Sequence, residues 1–184
     1  MGQKINFGVS SLYHSLLHFY STSREVESLL LDAEYTSEQI DRQLSDAGSK
    51  FFSDFASSPQ DVVDAIERQT QRSILDQGVW DADGRCRLSF ALDRNIGVVN
   101  VVKISELTAQ ERSSIREIYR GEILTRVATS ERTFPTNLCQ IIVGGEAQSP
   151  ELITLFPGAL TPPLPTTDYM SDPFWSQHTF IKDK

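Results

Sequence analysis

Histidine and cysteine are scarce in this chain, with three of one and two of the other among 184 residues. Cys86 and Cys139 each lie in an apparent strand beside apolar neighbours. No Cys-x-x-Cys occurs, and no Cys/His grouping has metal-ligand spacing. The pair therefore reads as two reduced core thiols, not as a disulfide framework or a zinc site. No Asn-x-Ser/Thr sequon occurs, and no apolar run approaches the length of a membrane span. The first residues lack a long apolar stretch, and Met1-Gly2 is followed at position 6 by Asn, not by the Ser or Thr of a myristoylation signal. These absences make the cytoplasm the expected compartment. Also missing are the Gly-x4-Gly-Lys-Ser/Thr phosphate loop, Gly-x-Gly-x-x-Gly, His-Glu-x-x-His and Gly-x-Ser-x-Gly. Their lack removes the easily recognised nucleotide, zinc and serine-hydrolase chemistries.

The charge is plentiful but unbalanced, with 17 basic against 25 acidic residues and a net charge of −8. Broad, sequence-independent binding to DNA or to an anionic membrane needs a basic surface, so both are disfavoured. The distribution is uneven. Residues 1–75 hold 6 basic and 11 acidic side chains, whereas residues 85–132 hold 9 basic and 6 acidic ones. A locally basic middle within an acidic chain permits a small anion-binding cleft. Solvated strand and helix faces would give the same pattern.

The hydrophobic period divides the chain near residue 76. Before it the spacing is helical. Ser10-Ser11 precede Leu12, Leu16, Leu17 and Tyr20, and Ser21-Thr22-Ser23 precede Val26, Leu29 and Leu30. Thr36-Ser37-Glu38-Gln39 has the form of a capping box, followed by Ile40, Leu44, Phe51 and Phe55 on one helical face. Ser58-Pro59 starts a further helix, with proline at the first position, where its missing N–H costs nothing, and with Val62, Val63 and Ile66 inward.

After residue 76 the period is that of strands. Cys86, Leu88, Phe90 and Leu92 alternate with polar or small residues, and Asp83-Gly84 marks a hairpin turn that folds Val79-Trp80 back. Val98–Ile104 is a strand, and Thr108-Ala109-Gln110-Glu111 caps a helix expected to run to about Arg120, with Gly121 at its C-terminal cap. Further strands are Ile123–Thr129, Leu138–Val143 and Glu151–Phe156, the last two forming the sheet centre because they are almost continuously apolar. Residues 157–173 hold five prolines and form an ordered irregular loop; Thr179–Ile181 is an edge strand. The expected architecture is α+β in a single domain over 1–184: N-terminal helices in residues 1–75, then a mostly antiparallel sheet with one inserted helix in residues 76–184.

Several residues could carry chemistry. His14 and His18, four apart, share a helix face and could hold a metal, although no carboxylate or thiol nearby completes the set. His178 follows Phe174-Trp175 at the start of the last strand, where it could act as acid or base near neutral pH. Arg126 sits mid-strand, and its planar fork suits a phosphate as well as it suits a salt bridge. Thr136 opens a strand, Thr154 interrupts an apolar one, and Lys103 closes the Val98–Val102 run. If these five meet on one concave face, a base, two cations and two hydroxyls can serve phosphodiester cleavage without metal or cofactor.

The residues Thr125-Arg126, Pro135-Thr136-Asn137, Ile153-Thr154-Leu155-Phe156 with Gly158, Pro162-Pro163, and Phe174-Trp175 with His178 carry a resemblance. Over residues 98–181 the chain resembles small bacterial proteins and toxins of the barnase/RelE-like ribonuclease superfamily. The resemblance implies an endoribonuclease that cleaves RNA through attack of the 2′-OH, with an antitoxin or immunity protein as partner. His178 would be the acid/base, Arg126 and Lys103 the phosphate cations, and Thr136 and Thr154 the orienting hydroxyls. That reading requires His178 and Arg126 to share a face of their sheet. The acidic balance supports the alternative of a non-enzymatic immunity, adaptor or regulatory module, whose acidic helices over residues 24–67 contact a basic partner.

Overall fold

A computed structural model describes residues 5–7, 15–19, 48–120, 123–146, 149–165 and 170–183. The helices expected after Ser21 and Thr36 lie outside the described residues. So do most of the one expected after Ser10, His14 of the histidine pair and the Gly121 cap. In chain order the described elements are β1 (Lys50–Phe51), α1 (Pro59–Thr70), β2 (Arg85–Ala91), β3 (Gly97–Val98), β4 (Val101–Lys103), α2 (Ala109–Ser113), β5 (Arg116–Arg120), β6 (Ile123–Ser130), β7 (Pro135–Thr136), β8 (Leu138–Glu146), β9 (Ser149–Pro157) and β10 (His178–Asp183). The class is α+β, as expected, but the strands form three sheets and not one. The chain folds as two compact units, Met1–Val98 with Pro135–Ala159, and Val99–Phe134 with Leu160–Lys184.

The first unit is organised by β8, which lies between β2 and β9. β2 pairs with it antiparallel from Arg85↔Gly144 to Ala91↔Leu138. Alternation along β2 leaves Cys86, Leu88 and Phe90 buried and Arg85, Arg87 and Ser89 exposed, the period-2 pattern read in the sequence. The preceding turn is also as read: Asp81 Oδ1 accepts from the backbone N–H groups of Asp83 and Arg85, and Trp80 bridges to Cys86. Gly84 takes a φ of 67°, a conformation that needs no Cβ. Between β8 and β9 the register shifts: Ile142 pairs with Thr154 but Val143 with Leu152, so Ile153 is the extra residue of a bulge.

α1 starts where the sequence placed it. The Ser58 side chain accepts from the Asp61 N–H, Pro59 occupies the first turn, and Gln71 closes the helix in the left-handed region at φ 55°. Val62, Val63 and Ile66 enter the core with Phe19, Phe51, Ile141, Leu152 and Leu155. Each such side chain contributes roughly 1.5–3 kcal/mol when fully removed from water. Phe51, expected on a helix face with Ile40 and Leu44, belongs instead to β1, which pairs with β3, itself paired with β7. Its ring stacks between Phe19 and Phe55, at centroid distances of 5.0 and 6.0 Å. A cluster of aromatic rings outweighs a local helical period, and Phe55 follows in a turn. Gly97 lies so close to the Lys50 carbonyl that a Cβ there would collide with backbone.

The second unit is built on a four-stranded sheet in the order β4-β10-β6-β5. β10 was expected at an edge; it is interior, antiparallel to β4 and parallel to β6. The helix after Thr108 has the expected capping box but ends at Ser113, and Arg116–Arg120 form β5, antiparallel to β6. The run expected as one strand over Val98–Ile104 is broken at Val99-Asn100 into β3 and β4. An ion pair between the buried Glu111 and the exposed Arg132, joined by Ser130 of β6, ties α2 to the end of β6. Arg132 donates to both Glu111 oxygens, at 2.8 and 2.6 Å, while Ser130 Oγ and the Thr108 N–H donate at 2.6 and 2.8 Å. These donors, the Arg132 guanidinium first, hold the Glu111 carboxyl well below its ordinary value of 4.5. The stabilisation is present above pH 4.5 and lost as acid protonates the folded carboxylate. Unfolding midpoints should therefore stay level from pH 7 to about pH 5, then fall, and Glu111→Gln should start lower and show a flatter acid limb.

The proline loop leads to Trp175, which is 4% exposed. Its indole stacks on Phe180 of β10 at 5.3 Å, and Nε1 donates to the Pro163 carbonyl at 3.0 Å. Trp175→Ala should cost about 3 kcal/mol or more in a urea titration. It should also open the segment between Leu160 and Met170 to limited proteolysis.

Candidate functional site

Of the five residues singled out, Lys103, Arg126 and His178 belong to the second unit, and Thr136 and Thr154 to the first. His178 and Lys103 are register partners across β10 and β4. The His178 ring lies flat on Phe174, with centroids 3.7 Å apart and planes 4° apart, and Nδ1 is 2.7 Å from the Phe174 carbonyl. That carbonyl can only accept, so Nδ1 carries the proton and Nε2 is left as the acceptor of the neutral ring. Lys103 is exposed beside it.

Arg126 is on the other face. In the parallel pair Phe180 stands beside Val127, which puts His178 in register with Thr125. Residues in register share a face and successive residues alternate, so Lys103, His178 and Thr125 face one way and Arg126, with Thr179 and Val102, the other. Arg126 donates through Nη1 to the Ser176 carbonyl at 3.2 Å and through Nη2 to Met170 Sδ. It braces the segment leading into β10. The alternation could not be applied in advance, because the parallel pairing of β6 with β10 is set by long-range topology, not by either strand's sequence.

The two threonines differ. Thr136 Oγ1 accepts from the Leu138 N–H at 3.1 Å and so closes the step between β7 and β8. Thr154 is 7% exposed and its hydroxyl has no hydrogen-bond partner among the described residues. It stands in register with Ile142 and two residues before Phe156, on the sheet face away from Leu152 and Leu155. His18 is buried: its ring lies 5.7 Å from that of Phe156, and Nδ1 is 2.8 Å from the Ser49 carbonyl. Both cysteines are free and buried, and burial pushes both thiols up, Asp81 adding to the effect at Cys86. The upward shift disfavours the thiolate, the form that attacks.

The sequence reading missed the Glu111–Arg132 pair. Glu111 stands in the sequence only as part of a cap, and its 21-residue separation from Arg132 conceals their meeting. It also missed an open groove of about 700 Å³ along α1, lined by Asp61, Asp64, Glu67, Arg68, Gln71 and Arg72. The groove's wall is partly fixed by internal bonds. Asp61 accepts from Ser57 N–H and Oγ, which hold its carboxyl below the usual range, and Glu67 accepts from the Ile74 N–H. Asp64 is exposed and, among the described residues, its side chain accepts from the Gln60 amide, one turn back on the same helix.

No family model, curated protein or solved structure matches the chain. Among the described residues no helix is long and apolar enough to cross a membrane.

His178→Gln should separate the two roles of the ring. The loss of the Phe174 stack should lower the unfolding midpoint measurably by circular dichroism, whereas a ring left as a free surface acid/base would leave it unchanged.

Proposed function

We propose that this chain is a non-enzymatic binding module that receives a basic segment of another protein along α1. The carrying observation is the open groove on that helix. It sets the carboxylates of Asp61, Asp64 and Glu67 beside the guanidinium groups of Arg68 and Arg72 on a rigid element. Carboxylates at one end of such a face attract lysine or arginine side chains, and the guanidinium groups fix the orientation of an acidic neighbour. The overall charge of −8 steers a basic partner toward the chain from a distance, more strongly at low salt.

The ribonuclease reading has less support in the geometry. It asked His178 and Arg126 to approach one phosphate, and strand alternation sets them on opposite faces, each bonded to a backbone carbonyl of its own unit. What still favours it is the exposed Lys103 in register with a histidine whose Nε2 is the basic nitrogen.

Two measurements test the proposal. A lysine-rich peptide titrated against the chain in a calorimeter should bind, more weakly at higher salt. Asp64→Lys should weaken it by about fivefold, the scale of one exposed charge pair at roughly 1 kcal/mol, without shifting the unfolding midpoint. Binding insensitive to both salt and Asp64→Lys would remove the α1 face from the account. Incubation with single-stranded RNA should leave the RNA intact; metal-independent cleavage abolished by His178→Ala would restore the enzyme reading.

A further inference from the structure

The run Thr161-Pro162-Pro163-Leu164-Pro165 is restricted residue by residue. The pyrrolidine ring fixes φ near −65° at positions 162, 163 and 165. A following proline drives Thr161, Pro162 and Leu164 away from helical ψ toward extended values. Such a run favours a left-handed extended helix of three residues per turn. Residues 159–165 have neither helix nor strand, and no described peptide bond is cis. At three residues per turn, Pro162 and Pro165 lie on one side of it.

The run is held from within and open from without. The Trp175 indole N–H takes the Pro163 carbonyl at 3.0 Å, and Trp175 itself is buried against Phe180. Pro162 and Pro163 are nonetheless exposed, and Leu160, two residues upstream, is 48% exposed. The Pro163 carbonyl is taken by Trp175, while Pro162 and Pro163 are exposed and Pro165 is half-buried. A prolyl ring exposed in an already ordered backbone binds with little entropy left to lose.

We infer that Leu160–Pro165 is a docking peptide for a protein with an aromatic-lined, proline-recognising groove of the WW or SH3 kind. Such grooves receive prolines spaced three apart and use the low entropy of the preformed extended helix. Pro162 and Pro165 supply that spacing, and Leu160 supplies an apolar contact beside it. The run shares no residue with the α1 groove, so either can fail alone.

The full chain, titrated into an array of isolated isotope-labelled WW and SH3 domains, should perturb the groove resonances of at least one domain. Pro162→Ala with Pro165→Ala should weaken that binding by about tenfold or more, the scale of losing a buried anchor. Pro162→Ala alone, at an exposed position, is the check against a loosened loop and should show part of the same loss with an unchanged unfolding midpoint. Asp64→Lys should bind the domain normally. The inference is overturned if no domain in the array responds, or if the doubly substituted chain binds as tightly as the parent.

Discussion

The backbone of β10 has both of its edges satisfied, one by β4 and the other by β6. Much of the second unit hangs on this. With β10 between them, β4 and β6 need not touch, and a three-residue strand and an eight-residue strand join a single sheet. The parallel pairing to β6 sets the row in which His178 meets Lys103 and Thr125, and so sets which face Arg126 takes. The approach to β10 is equally constrained. Asp172 Oδ1 accepts from the Phe174 and Trp175 N–H groups, the Ile104 N–H reaches the Gln177 carbonyl, and the Ile181 N–H reaches Asn100. A buried strand cannot leave such groups unpaired without a cost of about 1–3 kcal/mol apiece.

What was legible in the sequence was what neighbours in sequence decide. The alternation of Arg85–Ala91, the turn at Asp83-Gly84, the Ser58-Pro59 start of α1 and the box at Thr108–Glu111 all rest on interactions within a few residues, and all stand in the structure. The errors fall where a distant partner wins. Arg116–Arg120 has acceptable helix formers, yet pairing with β6 draws it into a strand. Phe51 fits a helical spacing, yet the Phe19 and Phe55 rings recruit it into β1. β10 looked peripheral because it comes last, and position in the chain says nothing about position in a sheet.

The candidate site shows the same division. A sequence offers residue types, but a site is a set of directions, and directions in a sheet follow register. A shift of one residue between β6 and β10 would exchange the faces of Arg126 and Thr125 relative to His178. The groups that do converge, Glu111, Arg132, Ser130 and the Thr108 N–H, form a structural clamp around one carboxylate.

The second unit is assembled from two stretches, Val99–Phe134 and Leu160–Lys184, with the β8–β9 hairpin of the first unit between them in the chain. A ribosome therefore delivers β4, β5 and β6 well before the strand that joins β4 to β6. During that interval the facing edges of β4 and β6 are open templates for any extended peptide. Since the missing strand arrives only after the whole β8–β9 hairpin, closure waits on a contact of long sequence separation, which is the slow kind. The nascent chain, more than the finished one, is where this fold is exposed to mispairing.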